Sequence, residues 1–247
     1  MSARDWLRPY PDARLAFREA KRPVFCPHTL RQNHLLAALP PEVYERLLPD
    51  LKPVSLPVGW IVHGPGESVK HLYFPTAGIV SRFYVMRSGA SARLAVTGSE
   101  RVVGVASFLG GESTPDQMVV LSADYAYRLG VGVVKHESTH GGPLLYSLLR
   151  YTLALTAQTA QIAVCNRHHT LQQRLCLWLL LSLYRVPGNE MSMTQDLMAM
   201  MLGVRRESIT EAVGQEPLTS IDYPECGLQR QDLRCNSGRA RRYLAIS

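Results

Sequence analysis

The chain has 247 residues and a formal net charge of +7, so it is long enough for one large or two small domains and favours a polyanionic partner. Its five cysteines form no CxxC pair and no histidine has zinc-finger spacing, which argues against a structural metal, so we expect no cofactor. The N-terminus has no continuous apolar segment. We therefore predict a cytoplasmic protein without a signal peptide or a membrane span.

The first part of the chain changes from an arginine- and proline-rich segment to a helical pattern. Residues 1–32 carry few apolar side chains in any regular order, which predicts a flexible N-terminal arm. From residue 33 to residue 51, leucines and a valine recur at helical spacing. Pro40 and Pro41 divide this segment into a short turn and a helix.

Short alternating apolar runs, punctuated by glycine and proline, fill residues 53 to 134. Strands at this density predict an antiparallel β-roll or jelly roll, which can hold a small ligand or be filled with side chains. The predicted strand segments are 54–67, 71–86, 92–97, RVVGVASFLGG (101–111), 116–129 and GVGVV (130–134).

A long helix is predicted to begin at Gly142, with Pro143 at its first position. Apolar residues then follow at alternating spacings of four and three, which is typical of a coiled-coil seam and favours a homodimer. The alternative is a helix that packs on its own barrel. The seam residues are Leu144, Leu148, Tyr151, Leu155, Gln158, Ile162 and Cys165.

The next helix should begin after Thr170, because Gln173 completes a capping box with that residue. Its sequence, LQQRLCLWLLLSLYRV, is strongly apolar and ends before Pro187 and Gly188. The helix therefore has the length and position of a scaffold for the segment that follows.

Residues 194 to 215 have the spacing of a helix-turn-helix. Ala199 is small where a second helix would cross, Gly203 tolerates a positive φ at the turn, and Ile209 can bury against the first helix. Thr194 is placed as the N-cap of the first helix, and the second begins near Arg205. This unit presents its second helix to the DNA major groove.

The polar side chains of this unit are candidates for contacts with double-stranded DNA. Arginine can pair with guanine O6 and N7, and glutamate can accept from cytosine N4. The alternative is an ordinary helical hairpin with solvated charges. The candidate DNA-binding residues are Thr194, Gln195, Arg205, Arg206, Glu207, Ser208, Thr210 and Glu211.

This order of elements, from residue 33 to residue 215, resembles the Crp/Fnr family of bacterial transcription regulators. The matching motifs are Leu72-Tyr73-Phe74-Pro75 followed by Gly78, Val102-Val103-Gly104, Cys165-Asn166-Arg167, and Gly203-Val204-Arg205-Arg206-Glu207-Ser208-Ile209. The resemblance implies an α+β fold with a cyclic nucleotide-binding-like β-roll sensor domain (33–141), a dimerisation helix (142–166) and a helix-turn-helix domain (167–247).

The resemblance also implies a function for individual residues. Arg206 and Glu207 fall on the family's principal base-reading positions. The third reading position falls on Glu211, where members that read TGTGA-type sites carry arginine, so we expect a different operator. The implied partners are DNA, a second copy of the chain, RNA polymerase and a small-molecule effector in the roll.

A candidate ligand pocket in the roll is formed by Gly111, Glu112, Ser113 and Thr114. Members that bind cyclic AMP follow this Gly-Glu with an arginine before a serine or threonine, and none is present here. A bound phosphate needs such a cation, so we do not expect cyclic AMP as the effector. Haem-binding members use a histidine of the roll, where His63 and His71 lie.

The C-terminal end departs from the family's pattern. Gly214 and Pro217 should end the second helix early, and the following tail shows no clean hairpin, which predicts an atypical wing. Two alternatives to a DNA-binding regulator therefore stay open: a degenerate member that dimerises but binds DNA poorly, and a cupin-like metal enzyme using His63, Glu67 and His71. We expect a regulator and not an enzyme.

Overall fold

The computed structural model describes residues 27–87, 90–110, 113–122, 124–139, 141–183, 185, 191–214 and 244–246. These residues form an α+β fold whose main sheets are antiparallel, as the sequence predicts. Most of the predicted N-terminal arm and almost all of the tail with the predicted atypical wing lie outside the described residues. The chain divides into two compact units: the roll unit contains residues up to 82 and residues 97–156, and the helical unit contains residues 83–96 and those from 157 onward.

The elements follow the predicted order. The N-terminal helices are α1 (His34–Ala37) and α2 (Pro41–Leu47), divided at the two prolines as the sequence predicts. The strands that follow are β1 (Lys52–Leu56), β2 (Ile61–His63), β3 (His71–Pro75), β4 (Ile79–Val85), β5 (Ser91–Thr97), β6 (Gln117–Ser122) and β7 (Asp124–Gly130). The later elements are α3 (Val131–Ser138), α4 (Pro143–His168), α5 (Leu171–Leu183), β8 (Met191–Met193), α6 (Gln195–Leu202), α7 (Arg206–Gly214) and β9 (Leu244–Ile246).

Strands β1 to β7 form two sheets, with strand orders β1-β7-β3 and β2-β6-β4-β5. Strand β7 pairs antiparallel with both neighbours, so that Ala126 lies opposite Val54 on one side and Pro75 on the other. The alternating side chains of these strands meet in one apolar cluster. Its buried members are Leu56, Val80, Val103, Met118, Val120 and Ala126.

Two of the predicted strands are wrong. In the run from 101 to 111, Gly104 has a φ of 92° and a tight turn follows over Val105–Ser107. Strand pairing in this run is limited to Val103, which bridges antiparallel to Tyr73. A Cβ at Gly104 would lie 2.7 Å from the carbonyl oxygen of His71, so close packing sets the backbone at that glycine. The run GVGVV instead continues into α3, in which Val134 is the only fully buried residue. The last turn of α3 carries basic residues, which suit the C-terminus of a helix.

Asn33 ties the N-terminal helices to the roll and is fully buried. Its Oδ1 accepts a hydrogen bond from the backbone N–H of Leu36 at 3.1 Å, which caps α1. Its Nδ2 donates to the carbonyl oxygens of Pro75 at 2.9 Å and Arg101 at 2.8 Å. One side chain therefore satisfies three backbone groups on three segments.

Helix α4 begins at Pro143, as predicted. Most of the residues proposed for the dimer seam are nevertheless buried within the single chain, which agrees with the alternative of a helix packed on its own fold. These are Leu144, Leu148, Tyr151, Leu155 and Ile162, and the adjoining Cys165 is buried as well. Gln158 is only half-buried.

The scaffold helix α5 begins with the predicted capping box. Thr170 N–H donates to Gln173 Oε1 at 2.9 Å, and Gln173 N–H donates to Thr170 Oγ1 at 3.3 Å. The helix then buries Leu175, Trp178 and Leu179. Although α4 and α5 are rich in apolar residues, no helix in the described ranges is long and apolar enough to cross a membrane.

Helices α6 and α7 are joined by a turn at Gly203, whose φ of 65° and ψ of 38° lie in the left-handed region. Within the helical unit this turn also lies directly against β5. A Cβ at Gly203 would overlap the carbonyl oxygen of Ser91, and the hydroxyl of Ser91 donates to the carbonyl oxygen of Met200 at 2.8 Å. Glycine is therefore required here for both conformation and space.

We predict that Asn33→Ala lowers the free energy of unfolding by about 3 kcal/mol, because it removes three hydrogen bonds and leaves two carbonyls without this donor. Asn33→Ser, which can still cap α1, should recover roughly 1 kcal/mol of that loss. Urea unfolding of the purified variants measures both values. An alanine variant as stable as the wild type would contradict the role assigned to this side chain.

We predict a loss of about 3 kcal/mol or more for Gly203→Ala, since the added methyl group combines a left-handed φ with a steric overlap. Gly66→Ala is a matched control, because Gly66 has a φ of 77° and no atom lies within 4 Å of the place that its new methyl group would occupy. That control should lose only about 1–2 kcal/mol. Equal losses in denaturant unfolding would show that the contact with Ser91 has no energetic weight.

Candidate functional site

The candidate DNA-contacting side chains lie on a pair of helices with a buried apolar underside. Met198, Met201 and Ile209 are almost completely buried between α6, α7 and their surroundings. Ala199 is 6% exposed, and its carbonyl oxygen accepts from the backbone N–H of Val204 at 3.0 Å. This hydrogen bond closes the C-terminal end of α6 across the turn.

The start of α6 is set by Thr194. Its Oγ1 accepts a hydrogen bond from Leu197 N–H at 3.2 Å, as expected for an N-cap. The opposite end of the helix is closed by Gly203, whose N–H donates to the carbonyl oxygen of Met200 at 3.4 Å. Both ends of this short helix are therefore fixed by local sequence.

On the solvent side, four polar residues connect α6 to the first turns of α7. Thr210 Oγ1 donates to Gln195 Oε1 at 3.0 Å, and Arg206 Nε donates to the same oxygen at 3.5 Å. Arg206 Nη1 also lies 3.5 Å from Asp196 Oδ2. The side chains of Arg206 and Asp196 are 59% and 53% exposed, so this ion pair is weak and can exchange for another acceptor.

The other candidate residues differ in their exposure. Arg205, Glu207 and Glu211 are exposed, whereas Ser208 is half-buried. The structure therefore brings Gln195, Arg206 and Thr210 into direct contact and leaves three further charged side chains accessible beside them. Asp196, which is not among the candidate DNA-binding residues predicted from the sequence, also lies on this polar face.

The candidate pocket of the roll is only partly described. Gly111 and Glu112 lie outside the described residues, and Ser113 is exposed and bridges to Ser68. Thr114 is buried, and its hydroxyl lies 3.5 Å from His63 Nδ1. Burial lowers the pKa of His63, with an opposing effect from Asp116.

An arginine is present inside the roll, but a carboxylate already holds it. Arg82 Nε and Nη2 donate to the two oxygens of Asp116 at 2.6 and 3.0 Å. The Asp116 side chain is 1% exposed, and it lies two residues after Thr114. A phosphate entering here would meet a buried carboxylate whose cation is already neutralised. The sequence reasoning missed this pair because its members are 34 residues apart.

The residues suggested for haem or metal binding have other surroundings. Glu67 accepts from the backbone N–H of Gly64 at 2.8 Å. The pKa of His71 is lowered by burial and then by the nearby charges of Arg128, Lys70 and Lys52. Among the residues that the structure describes, no group of three or more histidine, cysteine, aspartate or glutamate side chains could hold a metal ion.

Comparison with known proteins gives structural matches alone. No family model matches the sequence, and no curated protein matches it. A protein from Eubacterium rectale, described as a transcriptional regulator of the Crp/Fnr family, superposes with a TM-score of 0.62 at 14% identity, over 74% of this chain and 86% of its own.

Two further solved structures are similar. The c-di-GMP-responsive global regulator CLP of Xanthomonas campestris matches with a TM-score of 0.56 at 15% identity, over 70% of this chain and 89% of CLP. FixK2 from Bradyrhizobium japonicum matches with a TM-score of 0.57 at 16% identity, over 67% of this chain and 83% of FixK2. At these identities the likeness establishes the fold: the chain has a Crp/Fnr-like, cyclic nucleotide-binding-type fold.

Proposed function

We propose that this protein is a sequence-specific DNA-binding transcription regulator that acts as a homodimer. The observation that carries the proposal is the polar face of α6 and α7. An apolar underside fixes both helices, while Gln195, Arg206 and Thr210 form one solvent-facing network with Arg205 and Glu207 beside it. The Crp/Fnr-like fold, shared with the three regulators described above, supports a regulator role.

In this proposal α7 enters the major groove and its first turn reads bases. Arg206 is long, exposed and held by weak contacts, so its guanidinium can leave Asp196 for guanine O6 and N7. Glu207 is exposed next to it and can accept from cytosine N4. Gln195 and Thr194 at the start of α6 are placed for phosphate contacts, which set the register of the helix on the duplex.

The homodimer would use a face of α4 different from the one that the sequence predicts. The predicted stripe is buried within one chain, whereas Tyr146, Leu149, Leu153 and Val164 are 63%, 48%, 73% and 59% exposed. Their spacings of three, four and eleven residues place all four on one face of the helix, away from the buried stripe. Large apolar side chains in a row along one exposed helix face are typical of a protein–protein contact.

The roll would act as the sensor, and its interior disfavours cyclic AMP. The buried Asp116 carboxylate accepts from Nε and Nη2 of Arg82 and neutralises its charge, so a cyclic phosphate would add a second negative charge beside an arginine that is already paired. The roll would therefore sense an effector of different chemistry.

We expect Arg206→Ala to weaken specific DNA binding by on the order of 1–3 kcal/mol, or roughly 5- to 150-fold. The operator is first found by selecting bound sequences from random duplexes with the wild-type protein, and affinity is then measured by gel shift at fixed salt. Arg167→Ala, which removes an exposed arginine from the end of α4, is the control and should bind normally.

Intact operator binding by the Arg206→Ala protein would mean that α7 is not the recognition helix. A folded wild-type dimer that selects no sequence would instead support the degenerate alternative, for which the acidic residues on this face, Asp196, Glu207 and Glu211, are the structural motive.

We expect Leu153→Glu to shift the protein from dimer to monomer in sedimentation velocity, because a buried carboxylate at the centre of an apolar seam would need desolvation. Ala154→Glu is the matched control, since that residue is also exposed but lies about 100° further round the helix. Both variants should keep the wild-type circular dichroism spectrum. A dimeric Leu153→Glu protein would place the seam elsewhere.

A further inference from the structure

A pocket of about 280 Å³ lies in the roll unit, where the segment before β3, the tight turn after Gly104 and the first turns of α3 meet. None of its lining residues belongs to the apolar cluster inside the roll. The volume is just below the usual range of about 300–1,000 Å³ for small-molecule sites, so the pocket suits a small metabolite. The lining residues are Ser68, Val69, Lys70, Ser107, Gly110, Val131 and Lys135.

Packing around Gly104 fixes the floor of this pocket. Val69 and Ser107 are the buried members of the lining. The hydroxyl of Ser107 donates to the carbonyl oxygen of Gly104 at 2.7 Å, and a Cβ at Gly104 would lie 3.1 Å from Val69 Cγ1. The backbone N–H of Val131 donates to the carbonyl oxygen of Lys70 at 3.0 Å. These contacts join all three segments, so the pocket is part of the packed fold of the roll unit.

Two lysines give the pocket a positive charge. Lys70 and Lys135 come from different segments, line the same concave space and are exposed. Of the described residues that line the pocket, none is acidic. Burial and then the charges of three cations, Lys70 among them, lower the pKa of the neighbouring His71. The electrostatic potential at this end of the roll is therefore positive, and an anion would be drawn into the pocket.

The chemistry of the exposed donors selects the anion. An ammonium group can only donate hydrogen bonds, and lysine binds phosphate as a point charge. A phosphate monoester concentrates about −1.5 to −2 charges and three acceptor oxygens on one group. One such group can be shared by both lysines and by the hydroxyl of Ser68, whereas a carboxylate has one charge and two oxygens. We propose that this pocket binds a phosphate group between Lys70 and Lys135, as the free ion or as the ester of a small metabolite.

A phosphate in this position would connect segments that otherwise meet through few contacts. It would hold α3, through Lys135, against the segment that contains Ser68 and Lys70. Ser68 in turn bridges to Ser113, which precedes the buried Thr114. The ligand would thus act on the part of the roll in which the sequence predicts an effector. Its role as an effector rests on the proposed function, whereas its binding to the pocket does not.

The first test is thermal unfolding of the full chain without DNA, at constant ionic strength set with chloride. The probes are inorganic phosphate, glycerol 3-phosphate, succinate and acetate. We expect phosphate probes to raise Tm by about 5–10 °C at a hundredfold excess over Kd, and acetate to have no effect. A larger response to glycerol 3-phosphate assigns the site to an ester, and an equal or larger response to inorganic phosphate assigns it to the ion. A response to succinate alone overturns the choice of phosphate.

The second test locates the site with single substitutions. Lys70→Gln and Lys135→Gln each remove one ammonium group from an exposed position, so both proteins should keep the wild-type circular dichroism spectrum. Each substitution should raise the Kd for radiolabelled phosphate in equilibrium dialysis about tenfold or more. Lys52→Gln is the matched control, because Lys52 is an exposed lysine of β1 that does not line the pocket. At constant ionic strength it should change the Kd by less than about twofold.

Two results would overturn the proposal. The absence of saturable phosphate binding to the wild-type protein is the first. Equal weakening by all three substitutions is the second, because it would mean that the overall positive charge, and not the pocket, attracts phosphate. Since no DNA is present, neither result bears on the recognition helices, and a failure of operator selection would leave the phosphate measurements unchanged.

Discussion

The turn at Gly203 is the constraint on which the candidate interface depends. Its left-handed backbone ends α6 and directs α7 away from it, and the missing Cβ allows the carbonyl oxygen of Ser91 to lie against it. With that contact in place, the hydroxyl of Ser91 can donate to the carbonyl oxygen of Met200, which holds the end of α6 against β5. The position of Arg206 on the solvent face then follows from helix geometry, because Met198, Met201 and Ile209 fill the buried side. A change in one small residue would thus be transmitted to every polar contact on this face.

Features that depend on neighbours in sequence were the ones that could be predicted. The caps at Thr194 and Thr170 each join groups three residues apart, and the hydrogen bonds that close the turn at Gly203 span three to five residues, so the local pattern predicts these features. The strand predictions for 101–111 and 130–134 were wrong for the opposite reason. Valine-rich runs favour strands, but at Gly104 the approach of His71 sets the backbone, and that residue is far away in sequence. The stripe on α4 was ambiguous as well, since a heptad pattern looks the same whether its partner is a second chain or the helix's own fold.

The charged interior was beyond sequence reasoning altogether. Arg82 finds Asp116 only because β4 and β6 are neighbours in one sheet. In the segment ARLAVT, hydrophobicity would turn Leu94 inward and Arg93 outward, yet Arg93 is the buried residue and Leu94 is half-exposed. A strand has two faces, and turning it over moves every side chain from one face to the other. Burying an arginine in place of a leucine costs free energy. A residue that departs from the hydrophobic pattern in this way is therefore more informative about function than one that follows it.

The low net charge of the helical unit limits how it could recognise DNA. Residues 166–247 contain ten arginines or lysines and eight acidic residues, so little net charge is available for attraction to phosphates at long range. Arg93 is buried and Arg206 is partly neutralised by Asp196, which reduces the effective surface charge further. Affinity would therefore have to come from short-range contacts that form only on a matching sequence. In such a protein, replacing Asp196 with a neutral residue would increase the affinity for competing DNA sequences more than the affinity for the operator. The ion pair would thus contribute to specificity by weakening the competing complexes.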